Sequence, residues 1–210
     1  MNLAMLIKRS FLIAAGSLAL GLLPAAQAVE IAGVKIDETT KAGNTDLKLN
    51  GAGIRYKAVF KVYVASLYLT EKKTTLAEIM ALPGPKMIRL HVLREVSVDQ
   101  FGQSFMDGLN HNSTKAEKTK IVGQMIKFGE MFASLPDIKK GDVLGLEWVP
   151  GVGTMSSLNG KRAGEVLPDV AFYNALLKIW MGDQPAYGPL KNQLLGVPEK
   201  NAAPAPAREN

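Results

Sequence analysis

The sequence predicts an α+β fold built on an antiparallel sheet. Three features of the 210-residue chain carry this expectation. Strand-like alternation fills much of the stretch before residue 70, two long helical patterns occupy 97–135, and a meander of three short strands follows. Strands, then helices, then strands and a closing pair of helices is the order of an α+β chain, not of repeated βαβ units.

The elements can be justified in turn. Residues 29–36 read as an opening strand and 37–46 as a polar, turn-rich stretch. Within 47–69 the pattern is β: Leu47 and Leu49 flank Lys48, then Gly51-Ala52-Gly53 interrupts. Beyond the interruption Phe60, Val62 and Val64 fall on one face and Tyr63, Ala65 and Leu67 on the other. Apolar residues on both faces predict a central strand covered on both sides. Thr75 and Glu78 have capping-box spacing, and Pro83-Gly84-Pro85 closes the short helix they open. Residues 87–96 return to strand, with Ile88, Leu90 and Val92 opposite Arg89 and His91.

Ser97 with Gln100 forms a second box, before a stripe of Val98, Phe101, Phe105 and Leu109. Thr114 with Glu117 forms a third, before Ile121, Met125, Ile126, Phe128, Phe132 and Leu135. Strands at 143–149, 152–158 and 161–167 then share short turns. Asn159-Gly160 suits a hairpin because both turn positions favour positive φ. Asp169 is placed to cap a helix bearing Phe172, Leu176, Ile179 and Trp180, and 187–196 predict a last short helix.

The first 28 residues read as a secretory leader. Lys8 and Arg9 precede an apolar run from Phe11 to Leu23, Pro24 breaks it, and Ala26-Gln27-Ala28 offers small residues for cleavage after Ala28. The expected location is the periplasm. Residues 29–197 then form one domain, and 198–210, rich in Ala and Pro, form a tail too poor in large apolar groups to pack. The run at 11–23 is short for a membrane span, and no later segment reaches that length.

There is no cysteine, which removes thiol catalysis, iron–sulfur clusters and cysteine-bound zinc. The net charge of +6, lowered by two when the leader departs, is not a nucleic-acid footprint. His91 and His111 lack carboxylate partners at metal-ligating spacing, so no metal site is expected. Gly51-Ala52-Gly53 lacks the remainder of a dinucleotide loop, and Asn159-Gly160-Lys161 the remainder of a phosphate loop; no cofactor is implied.

One segment stands out. Arg55 lies in an apolar, glycine-flanked strand entry, where its always-charged guanidinium suits a carboxylate or oxyanion. Tyr63 lies on the strand expected to be covered on both faces, so its hydroxyl needs a partner. The bland alternative pairs Arg55 with an internal Asp or Glu and leaves Tyr63 as core. On one straight strand the two would lie about 26 Å apart at roughly 3.3 Å per residue. A shared site therefore requires the chain to turn near residues 56–59.

Leu49-Asn50-Gly51-Ala52-Gly53-Ile54-Arg55 and Lys61-Val62-Tyr63-Val64-Ala65-Ser66-Leu67-Tyr68-Leu69 resemble the chalcone isomerase-like family. So do Pro83 to Leu90 and Ala171 to Asp183, and the resemblance runs from about residue 34 to 196. It implies an open-faced β-sandwich: a large antiparallel sheet with a layer of helices on one face and a ligand cleft between them. In the plant isomerases of this family an arginine, a threonine, a tyrosine and an asparagine serve the cleft. Arg55 matches the arginine. Tyr63 stands at the threonine position, as in the family's fatty-acid-binding branch, where Arg and Tyr hold a carboxylate. Phe101 stands at the tyrosine position, and Gly108 at the asparagine position with Asn110 nearby. The resemblance thus implies a binder of a small anionic amphipathic ligand such as a fatty acid, through Arg55 and Tyr63. An intramolecular lyase or isomerase, and a partner-binding protein with a vestigial cleft, are the alternatives.

Overall fold

A computed structural model describes residues 28–197. The leader up to residue 27 and the tail at 198–210 lie outside the described residues. The chain opens with β1 (Ala28–Ile31), β2 (Val34–Asp37), β3 (Thr39–Ala42), β4 (Thr45–Lys57) and β5 (Phe60–Leu69). Helix α1 (Leu76–Ala81) leads to β6 (Lys86–Val92), then α2 (Val98–Asn112) and α3 (Lys115–Ala133). Strands β7 (Val143–Val149), β8 (Gly153–Leu158) and β9 (Lys161–Leu167) precede α4 (Val170–Met181) and α5 (Gly188–Leu194).

Strands β3 to β9 form one seven-stranded antiparallel sheet in chain order. The helices bury one face of it. Phe101, Phe105, Phe128, Phe132, Phe172 and Trp180 pack there against Tyr63, Ala65, Leu67, Leu90 and Leu146. The opposite face is covered in part by the β1–β2 hairpin, whose Ile36 joins Leu47, Val64, Tyr68 and Met87. Strand β5 lies third in the order and is buried from Val62 to Leu69, as its two-sided apolar pattern predicts.

The local helix signals divide. Thr114 and Glu117 form a complete capping box, and Asp169 Oδ1 accepts from Ala171 N–H at 2.8 Å. Thr75 accepts from the Glu78 N–H. Ser97, by contrast, makes no side-chain cap bond; the Val98 N–H at the start of α2 instead donates to Asp137 Oδ1 at 3.0 Å. The expected single strand at 29–36 is a hairpin, turned by Ala32 and Gly33 at φ 52° and 78°. The polar 37–46 stretch holds β3 and the start of β4; an edge strand facing water needs no apolar alternation. The strand at 87–96 ends at Val92, with only a Val96–Ile138 bridge beyond, and Ile126 lies off the buried stripe of α3. Asn159 and Gly160 turn β8 into β9 with φ 51° and 75°, as expected.

The glycine interruption in β4 has a packing cause. A register shift falls between Leu49 and Gly51. Asn50 is buried there, donating to Lys73 O at 2.9 Å and Leu194 O at 2.8 Å and accepting from the Lys73 N–H at 2.8 Å. Helix α5 lies against the next residues. A Cβ on Gly51 would run into the Gln193 carbonyl oxygen and sit 2.8 Å from that of Leu194. A Cβ on Gly53 would meet the Gln193 side chain, whose amide end can swing away but whose Cβ, 2.8 Å off, is fixed to α5. Gly51→Ala should therefore cost about 2–3 kcal/mol, at the upper end for overpacking, and Gly53→Ala less, about 1–2 kcal/mol, because part of its clash is with a movable amide. Chemical denaturation checks this; equal losses at the two positions would contradict backbone contact as the cause.

Candidate functional site

Strand β4 turns into β5 at Ala58 and Val59, with Ala58 at φ 52°. Lys57 then pairs with Phe60, and after a register shift Arg55 pairs with Tyr63. The turn required near residues 56–59 is present. Two residues that one straight strand would hold far apart become cross-strand neighbours, with the Arg55 guanidinium carbon 5.6 Å from the Tyr63 ring centre.

Tyr63 is 4% exposed, and its oxygen accepts a hydrogen bond from Trp180 Nε1 at 2.8 Å. Burial raises the phenol's pKa, against smaller opposing effects of Arg55 and the Trp180 bond. The group therefore stays a neutral phenol whose proton is free to donate. The Phe101 ring meets Tyr63 edge-on at 6.2 Å. Arg55 takes part in none of the ion pairs among the described residues. Its Nε is buried and makes no hydrogen bond. A carboxylate partner inside the protein, the bland alternative for Arg55, is not found there.

Arg55 stands at the junction of two spaces. Inward lies a void of about 20 Å³ bordered by Arg55, Tyr63, Phe101, Ser104 and Trp180. It is the size of a single water molecule or carboxylate oxygen. Outward lies a groove of about 520 Å³, with Val62, Val96, Phe60 and Phe101 as its apolar lining and Arg94, Gln100 and Ser104 as polar groups. Arg55, Phe101 and Ser104 border both spaces. The region between sheet and helices next to Tyr63 is thus filled by aromatic rings, and the open volume lies at its mouth. A polar head fits the inner junction and an apolar chain the outer groove.

Several expectations need adjustment here. Phe60, assigned to a covered face from its alternation, is 56% exposed and lines the groove. Asn110 is exposed on α2. Gly108 packs so closely on α4 that a Cβ there would lie 2.8 Å from Ile179 Cγ2. Neither position supplies an amide to the site. Trp180, Ser104 and Arg94 were not foreseen as site residues. Trp180 reads as one more apolar group on a helix, and its bond to Tyr63 spans 117 residues of sequence.

The two histidines lie elsewhere. His91 is on the outer sheet face, its pKa lowered by burial and then by Arg89. His111 Nδ1 contacts the Asp107 carbonyl oxygen at 2.7 Å. Among the described residues no group of three or more His, Asp or Glu side chains is placed to hold a metal ion.

Comparison with known proteins identifies the family and the fold. A family model described as chalcone isomerase-like matches residues 28–196. No curated protein matches by sequence. Among solved structures, the chain is similar to a fatty-acid binding protein of Arabidopsis thaliana, at 14% identity and a TM-score of 0.63. That similarity covers 80% of this chain and 96% of the plant protein's.

The two site residues should behave oppositely on substitution. Tyr63→Phe removes the acceptor of the Trp180 N–H, and leaving a buried donor unpaired costs about 1–3 kcal/mol. Arg55→Met breaks no ion pair and removes an unpartnered nitrogen, so it should stay within about 1 kcal/mol of wild type. Unfolding of the two variants without ligand checks this; a collapse on Arg55→Met would make Arg55 a structural residue.

Proposed function

The chain belongs to the chalcone isomerase-like family, and from that membership we propose that it binds a fatty acid or similar amphipathic carboxylate without transforming it. The observation that carries the reading is the buried, unpartnered Nε of Arg55 at the junction of void and groove. A carboxylate moved from water into an apolar cleft costs several kcal/mol unless a fixed cation and donors receive it. Arg55 supplies the cation and the Tyr63 hydroxyl the neutral donor. Phe60, Val62 and Phe101 offer apolar surface for the chain, and the groove falls in the size range of small-ligand sites. The name of the similar plant structure, a fatty-acid binding protein, agrees with this ligand class.

Isomerase chemistry fits the same residues less well. Stabilising a developing oxyanion needs donors aimed at it. Arg55 could serve, but Phe101 brings a ring without a hydroxyl, and Gly108 against Ile179 leaves no room for an amide. We further propose that the protein acts in the periplasm after cleavage following Ala28. The cut would fall at the first residue of β1 and leave the Val29–Ile36 pairing intact. N-terminal sequencing of periplasmic protein should read Val29 first; material beginning at Met1 would refute the export proposal.

Affinity measurements test the binding site. Charge-assisted hydrogen bonds are worth about 1.5–3 kcal/mol, so Arg55→Ala should weaken fatty-acid binding roughly ten- to hundredfold. Tyr63→Phe loses one neutral donor and should cost about 0.5–1.5 kcal/mol of binding. A fatty alcohol of equal chain length should bind more weakly than the acid, and a chalcone should cyclise no faster than in buffer. Unchanged affinity in Arg55→Ala would end the binding proposal; turnover abolished by that substitution would establish an enzyme.

A further inference from the structure

The tip of the β4–β5 hairpin carries features that a ligand at Arg55 does not need. Residues 57–61 are all exposed, and two of them are large and apolar: Val59 at 82% and Phe60 at 56% exposure. The turn itself is unfavourable. Ala58 holds φ 52°, a region where Gly would be far more comfortable, so the sequence keeps a side chain at a turn position that Gly would occupy more stably. Cations surround the apolar pair. Lys57 and Lys61 flank it in sequence, and the Arg94 guanidinium lies 4.6 Å from the Phe60 ring centre. Glu95 is the one acid lining the adjoining groove.

We propose that this tip docks on an anionic lipid bilayer, with Val59 and Phe60 entering the headgroup region and Lys57, Lys61 and Arg94 on the lipid phosphates. The chemistry favours a bilayer over a folded protein partner. A turn of two residues offers far less than the roughly 1,000 Å² a specific protein interface buries. Apolar side chains ringed by long cationic ones instead match the interface of a negatively charged membrane, where lysine stems lie along apolar surface and ammonium groups stay among headgroups. Lys57, Ala58 and Phe60 also line the groove that ends at Arg55, so a docked tip would bring the groove mouth to the lipid surface. Docking does not depend on what the groove binds.

The chain has no cysteine, so one introduced at Val59 can be labelled uniquely with a polarity-sensitive dye. Val152, 53% exposed between β7 and β8, provides a control position in Val152→Cys. On adding vesicles of equal parts phosphatidylglycerol and phosphatidylcholine to the protein beginning at Val29, the dye at position 59 should report an apolar environment and the dye at 152 should not. Pure phosphatidylcholine should give little response. Each of Lys57→Gln and Lys61→Gln should raise the lipid needed for half-response about fivefold. Arg55→Met, in the labelled background, should leave the response intact, so lost ligand binding and lost docking are separable. Silence at 59, or an equal response at 152, would overturn the docking proposal, as would a response indifferent to lipid charge.

Discussion

The antiparallel register of β4 against β5 is the constraint on which the site depends. Slipping the pair by one residue would send every β4 side chain to the opposite face, and Arg55 would leave the helix side of the sheet. The register is held at three places. The buried Asn50 ties the bulge at one end to Lys73 and Leu194, a second shift follows Arg55, and the tight turn at Ala58-Val59 closes the other end. Burial of β5 on both faces makes any slip more costly, because apolar groups would have to exchange environments. A cation opposite a phenol is therefore fixed by the turn and shift beside it together with the Asn50 anchor at the far end of the strand.

Much of this was legible in the residues. Two-sided burial of β5 follows from apolar residues alternating on both of its faces, the Asn159-Gly160 turn from its dipeptide, and the α3 start from Thr114 and Glu117. Those signals are local, and local physics decides them. What could not be read depends on distant partners. Ser97 and Gln100 have the right spacing for a box, but Asp137, from the loop after α3, takes the first helical N–H instead. Strand β3 is polar because it is an edge, and only pairing with β4 makes it a strand. Gly51 and Gly53 look like a break in a strand until α5, far along the chain, is laid across them. For the site, Arg55 and Tyr63 were identifiable by type and by resemblance. Their proximity followed only if the chain turned, and the role of Trp180 not at all.

Two cations show how differently burial can be resolved. Lys86 is fully buried, and its ammonium donates to Leu82 O at 2.7 Å, with the Gly84 carbonyl at 3.5 Å. Burial lowers its pKa, and the carbonyls just beyond α1 absorb its hydrogen bonds, so Lys86 serves the fold. Arg55 is only half-buried, yet its inward-lying Nε has no such acceptor. The contrast is one of acceptor supply: the same sheet satisfies one cation internally and leaves the other facing a groove.

The contact between Gly108 and Ile179 bears on how such folds can change over evolutionary time. The family resemblance sets Gly108 near the position of an asparagine in the plant isomerases, and the space an asparagine would need there is taken by a side chain from α4. Introducing the amide first would drive it into Ile179; trimming Ile179 first would open a cavity in the aromatic core, at about 2–5 kcal/mol for a change to alanine. Either order passes through a damaged intermediate, and the two changes are tolerable only together. A chain with this packing is separated from one carrying an asparagine at position 108 by an epistatic valley, so drift by single substitutions would tend to hold it where it is.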